Sequence, residues 1–133
     1  MRFHKHYTRE QARKLLPQVR QWLKQLTGLR STLEKSDQRL VALMKPGCDL
    51  GGPLVNKWVR TMAEIKSVLL EFHCREIQVK DLDRGLVDFP ALVGGDEVFL
   101  CWEHGEEDIE FWHHLDAGYA GRERLPPADQ EQD

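Results

Sequence analysis

Two apolar stripes at helical spacing, separated by a run of helix breakers, limit what this chain can fold into more than any other feature. Ala12, Val19, Leu26, Leu33 and Leu40 recur every seven residues, with Leu15/Leu16, Trp22/Leu23, Leu29 and Leu43/Met44 in the intermediate slots. Such a repeat keeps one helix face apolar and needs a partner along it. Thr8-Arg9-Glu10-Gln11 stands ahead of the stripe as a capping box, in which Thr8 and Gln11 each satisfy the other's free amide. Pro17 predicts a kink or short break near Leu16, because it removes one helical hydrogen bond and crowds the preceding turn. Gly28 is a second, weaker spot. Lys45-Pro46-Gly47-Cys48-Asp49-Leu50-Gly51-Gly52 ends the helix, and Pro53 suits the first position of another. Val55, Trp58, Met62, Ile65, Leu69 and Phe72 then follow at spacings of three and four. Two such seams joined by a short link predict an antiparallel, coiled-coil-like helical hairpin over residues 1–75, with arms of about 55 and 35 Å. The longer arm leaves part of its stripe unmatched, and that part must meet the C-terminal region or a second copy of the chain. A homodimer through the hairpin is therefore one expectation.

Beyond Glu76 the pattern changes to short alternating runs, which predict a small antiparallel β-sheet over residues 76–122 and an α+β fold for the whole. Asp83-Arg84-Gly85 and Gly94-Gly95-Asp96 read as turns, Leu86 to Pro90 as a short apolar run, and Val98–Glu103 and Ile109–His114 as strands. A hairpin centred between Gly105 and Glu106 pairs Trp102 with Ile109, Leu100 with Phe111 and Val98 with His113. That register collects the apolar residues on one face, with His113 among them, and leaves Glu103 facing Asp108. The stretch 123–133 has little to bury and is expected to be a disordered tail.

The net charge is −3 with both signs interspersed, so no broad cationic face offers itself to a phosphate backbone, and nucleic acid is not an expected partner. No window approaches the roughly 18–20 apolar residues of a membrane span, and the N-terminus lacks a signal-peptide core. A cytoplasmic protein without membrane contact is expected. Three cysteines without a Cys-x-x-Cys spacing argue for reduced thiols rather than a disulfide framework or a zinc knuckle.

Residues 80–122 carry an ordered set of motifs: Lys80-Asp81-Leu82, Gly85-Leu86-Val87-Asp88-Phe89-Pro90, Leu100-Cys101-Trp102, Gly105-Glu106, Trp112-His113 and Asp116-Ala117-Gly118-Tyr119-Ala120-Gly121-Arg122. In these the chain resembles the bacterial domain of unknown function (DUF) 2203 family. Tyr7 to Arg20 also looks like that family's opening helix with its Leu-Leu-Pro, although Arg13 stands where the family has asparagine. The resemblance implies a bacterial cytoplasmic protein and brings no established activity.

Within these motifs the chemistry-bearing residues are Asp88, Glu106, His113, Asp116 and Arg122. On the expected register His113 lies on the apolar face, where an imidazole needs a hydrogen-bond partner or a metal. Asp88, in an otherwise apolar run, and Asp116, three residues past His113, are the natural carboxylates. One reading makes Asp88, His113 and Asp116 ligands of a divalent ion such as zinc, iron or manganese, with Glu106 and Arg122 contacting a bound small ligand. The plainer alternative is a structural His113–Asp88 pair, with Asp116 capping a turn and Arg122 bridging to an acid. Cys101, sharing a face with Glu103, Glu110 and His114, offers a soft metal site or a reactive thiol with them, but it reads better as a buried structural cysteine. His4-Lys5-His6 reads as a solvated segment, and the single His73/Glu76 pair has the wrong order for a di-iron motif. Two functions remain open: a metal- or small-ligand-binding protein, and an interaction module that docks through its long hairpin.

Overall fold

The computed structural model describes residues 1–43 and 52–126. Helix α1 spans Arg9–Leu43 and helix α2 Gly52–Cys74, packed against each other. The breakers from Lys45 to Gly51 lie outside the described residues. The capping box forms as expected: the Gln11 amide donates to Thr8 Oγ1 at 3.1 Å, and the Thr8 amide donates to Gln11 Oε1 at 3.0 Å. Of the kink or short break expected near Leu16, the break does not occur, and α1 runs through Pro17. Leu16 and Val19, on either side, are both buried in the core. Burying two aliphatic side chains is worth about 1.5–3 kcal/mol each, enough to offset the roughly 3 kcal/mol that an internal proline costs.

A five-stranded antiparallel meander follows, in the order β1 (Gln78–Asp81), β2 (Leu86–Val93), β3 (Asp96–Glu103), β4 (Phe111–His114) and β5 (Glu123–Arg124), with a 3-10 turn at Tyr119–Gly121. The fold is thus α+β, a helical hairpin followed by a sheet. β2 and β3 form a tight hairpin centred between Gly94 and Gly95, which places Asp88 opposite Cys101. Both glycines have positive φ, 60° and 84°, the backbone that such a two-residue turn demands.

Val87, Phe89 and Ala91 of β2 alternate toward the helices together with Val98, Leu100 and Trp102 of β3. There they meet Ala12, Leu16, Val19, Leu23 and Leu26, so the unmatched end of the α1 stripe is taken up by the C-terminal sheet. The sheet's other face is also buried at Asp88, Pro90, Phe99, Cys101 and His113. A strap formed by residues 1–6 accounts for part of this cover. Phe3 packs edge-on against Phe99 with ring centroids 5.4 Å apart. Glu97 holds the strap by accepting from the Arg2 and Phe3 amides, at 2.8 and 2.9 Å, and from His6 Nε2 at 2.7 Å. Glu76 accepts from the His4 amide at 3.0 Å. The expected solvated His4-Lys5-His6 segment is therefore anchored, with His6 hydrogen-bonded to Glu97.

The expected disordered tail from residue 123 is corrected at its start. β5 pairs Glu123 with Trp112 and Arg124 with Phe111, and Leu125 packs on the core. Residues 127–133 lie outside the described part.

Candidate functional site

The β3–β4 register differs by one residue from the expected one. Phe99 pairs with His113, Leu100 with Trp112 and Cys101 with Phe111. A one-residue slip exchanges the two faces of a strand. His113 therefore leaves the helix-facing side expected for it, beside Val98 and Leu100, and shares the opposite face with Phe99 and Cys101. The cause lies in the connection. Instead of a tight turn at Gly105-Glu106, residues 104–110 form a longer loop, whose Glu106 carbonyl accepts from Trp102 Nε1 at 2.9 Å. Ile109 remains fully buried in the core without belonging to a strand, and Glu103 pairs with Leu86 rather than facing Asp108.

On this face, Asp88, Cys101 and His113 converge, each offering a ligand atom within 4.8 Å of the other two. All three are essentially closed to solvent, at 2%, 0% and 1% exposure. His113 Nε2 lies 3.1 Å from Asp88 Oδ2, and its Nδ1–H donates to the His114 carbonyl at 2.7 Å. Because that carbonyl can only accept, Nδ1 carries a proton, and Nε2 needs a second one to donate to a carboxylate. This arrangement favours the charged form of the ring. Burial works against the charged ring, but the Asp88 hydrogen bond and the His114 carbonyl outweigh it and hold the His113 pKa above its ordinary value. Burial, reinforced by the Asp88 charge, pushes the Cys101 thiol up to about 12, although Arg122 pulls the other way. Cys101 is thus a protonated thiol in the metal-free protein, far from the thiolate a nucleophile requires. Both His113 nitrogens are engaged elsewhere, so neither serves as a base for Cys101. This is not a nucleophilic Cys-His-Asp arrangement. One donor remains unspent: Asp88 Oδ1 is buried with no hydrogen-bond partner among the described residues.

Of the five residues singled out from the sequence, Asp88 and His113 meet in this cluster. Glu106 and Arg122 meet each other instead. Arg122 Nη2 donates to Glu106 Oε2 at 2.6 Å, and Glu106 Oε1 accepts from the Glu103 amide at 2.8 Å, which closes the loop 104–110. The Arg122 guanidinium also lies over the Phe111 ring, 3.7 Å from its centroid. Asp116 does not join the cluster. It is exposed in the turn after β4 and lies outside the group of convergent metal-type donors.

Cys101 is the donor that sequence reasoning ranked low and gave the wrong partners, because the expected register set it beside Glu110 and His114 rather than Asp88 and His113. Glu110 belongs to no strand, and His114 is exposed. The signal was nonetheless present. Centring a two-residue hairpin on Gly94-Gly95 sets Asp88 directly across from Cys101.

A helical hairpin carrying a five-stranded meander, with a buried Asp/Cys/His cluster on the far side of the sheet, defines an α+β class of small protein. The family model described as "Uncharacterized conserved protein (DUF2203)" matches residues 5–125, nearly the whole chain, and the chain belongs to that family. No curated protein and no solved structure matches it. No helix among the described residues is long and apolar enough to cross a membrane.

Proposed function

We propose that this protein binds a divalent transition metal through Asp88, Cys101 and His113. The observation that carries the reading is the convergence of three buried ligand atoms within 4.8 Å, one of them beside an unpartnered carboxylate oxygen. Metal–ligand distances of about 2.0–2.3 Å put neighbouring donors of a tetrahedral site roughly 3.3–3.8 Å apart, so a small inward movement closes this one. Exchanging the exposed Asp116 for Cys101 changes the expected ion. A thiolate, an imidazole and a carboxylate favour zinc or iron(II) over manganese. A bound cation also reverses the local acid–base preference by drawing the proton off the thiol and off His113 Nε2. Three protein ligands leave a position for water or a small ligand.

Cobalt(II) titration of chelator-treated protein, followed by zinc competition, tests the proposal. One equivalent of cobalt with a thiolate-to-metal charge-transfer band is expected, and Cys101→Ser abolishes the band. Uptake below roughly a tenth of an equivalent of cobalt, zinc or iron(II) overturns the reading.

A second reading, self-association through the hairpin, is supported by Val55, Val59, Met62 and Leu69 of α2, all substantially exposed. Val55 and Leu69 lie seven residues to either side of Met62, so two antiparallel copies crossing at Met62 match Val55 with Leu69. A two-fold interface requires that kind of self-complementarity. Sedimentation at high concentration decides it: a dimer that Met62→Lys dissociates supports the reading, and a strict monomer removes it.

A further inference from the structure

A cavity of about 510 Å³ lies between α1, the β1–β2 turn and the start of the loop after β3, apart from the Asp88 cluster. Its apolar wall includes Pro17 and Leu82, and its polar lining includes Arg20, Lys24, Asp83 and His104. The charges do not cancel within it. Asp83 is taken by Arg30, whose Nη2 lies 2.7 Å from Oδ1. Lys24 has no ion-pair partner among the described residues.

Arg20 is the unusual group. Arg13, Arg30, Arg75, Arg84 and Arg122 each pair with a carboxylate at 2.6–2.8 Å. Arg20, like the exposed Arg2, Arg39 and Arg60, has none among the described residues, but of these four it alone is half-buried. Its guanidinium lies over the Trp102 ring, 5.4 Å from the centroid, and one nitrogen reaches the carbonyls of Glu106 and Glu107 at only 3.4 and 3.5 Å. A half-buried guanidinium fixed on an aromatic face, with donors to spare, is arranged to receive a planar or tetrahedral oxyanion in fork geometry. The opposite rim is fixed as well. Gly85 has a φ of 63°, its carbonyl accepts from the His104 amide at 3.0 Å, and a Cβ at Gly85 would come within 2.5 Å of His104 Cβ. Only glycine allows this approach, which sets His104 at the cavity mouth.

We infer that this cavity binds a small organic anion, its carboxylate or phosphate held by Arg20 and Lys24 and its apolar body against Pro17 and Leu82. The volume falls within the roughly 300–1,000 Å³ of ordinary small-ligand sites. The inference does not depend on the metal reading, since none of the cavity's lining residues belongs to the Asp88 cluster.

Phenyl phosphate, benzoate and inorganic phosphate, titrated into isotopically labelled full-length protein and followed by amide chemical shifts, test it. Saturable shifts at Leu82, Gly85 and His104 with a Kd of about 1 mM or tighter are expected for phenyl phosphate or benzoate, with inorganic phosphate weaker. Arg20→Gln weakens binding about tenfold or more, and Lys24→Gln, at an exposed position, does so by a smaller factor without touching the core. Asp88→Val/His113→Phe leaves the affinity unchanged, which separates this site from the metal cluster. The inference is overturned by shifts that do not saturate up to about 10 mM, by shifts scattered away from the cavity, or by affinity unaltered in Lys24→Gln and in folded Arg20→Gln.

Discussion

Replacing His113 with phenylalanine isolates the buried pair. The ring volume is nearly kept, so the packing change is small, while Asp88 Oδ2 loses its 3.1 Å partner and Oδ1 has none among the described residues. A carboxylate 2% exposed to solvent is then left unanswered. Removing one member of a buried ion pair costs about 3–5 kcal/mol, whereas replacing both with apolar groups of similar size is often neutral or stabilising. His113→Phe is therefore expected to lower the stability of metal-free protein by about 3–5 kcal/mol, a fall in Tm of roughly 10–20 °C for a chain of this length. Asp88→Val/His113→Phe is expected to recover most of the loss. The pH dependence has a definite sign. A histidine whose pKa is raised by folding contributes stability that is fully present below its unfolded value, about 6.5, and that is lost as pH rises through the higher folded value. The gap between wild type and His113→Phe should narrow in alkaline solution. Urea unfolding of chelator-treated proteins at several pH values measures each quantity. A His113→Phe protein within about 1 kcal/mol of wild type, or a double variant no better than the single, refutes the argument that the imidazole answers a buried charge.

Three further outcomes are expected. Zinc binding should release one proton from Cys101 and, at pH below the raised pKa of His113, a further one from Nε2, so apparent affinity rises with pH; calorimetry in buffers of different ionisation enthalpy counts them. Glu97, despite a desolvation cost, is held at a pKa of about 2 by His6 and by the Phe3 and Arg2 amides. Its clamp on the N-terminal strap is therefore complete above the ordinary glutamate pKa of 4.5 and is lost as pH falls toward 2. In a Cys48→Ser/Cys74→Ser background, Glu97→Gln should speed disulfide-exchange labelling of Cys101 at neutral pH; an unchanged rate would mean that the strap does not guard this face. Gly85→Ala should lower the urea midpoint by the equivalent of about 1–3 kcal/mol, since it meets both a positive φ and the His104 side chain. An alanine variant as stable as wild type would show that the turn has room to shift.

Much of the element order was legible because its signals are local, although Val55, Met62 and Leu69 of the expected α2 seam are exposed. The Thr8/Gln11 cap, the seven-residue stripe and the alternating runs after Glu76 each depend on neighbours within a turn or a strand. Even the unmatched end of α1 told correctly of a further surface, since apolar area must be covered by something. Two local rules failed where distant packing outweighed them. Pro17 stays helical because Leu16 and Val19 are locked into the core, and residues 123–125 gain order from β4 and Glu110 rather than from their own composition. The cluster depended on a quantity that no short window contains: the number of residues in the loop between β3 and β4. Alternation is two-fold, so one extra residue moved His113 to the other side of the sheet, replaced Val98 by Phe99 as its neighbour and brought Cys101 to it in place of Asp116. Sequence alone determined which residues need partners; the tertiary structure decided which partners they have, because strand register is set by the whole packed sheet.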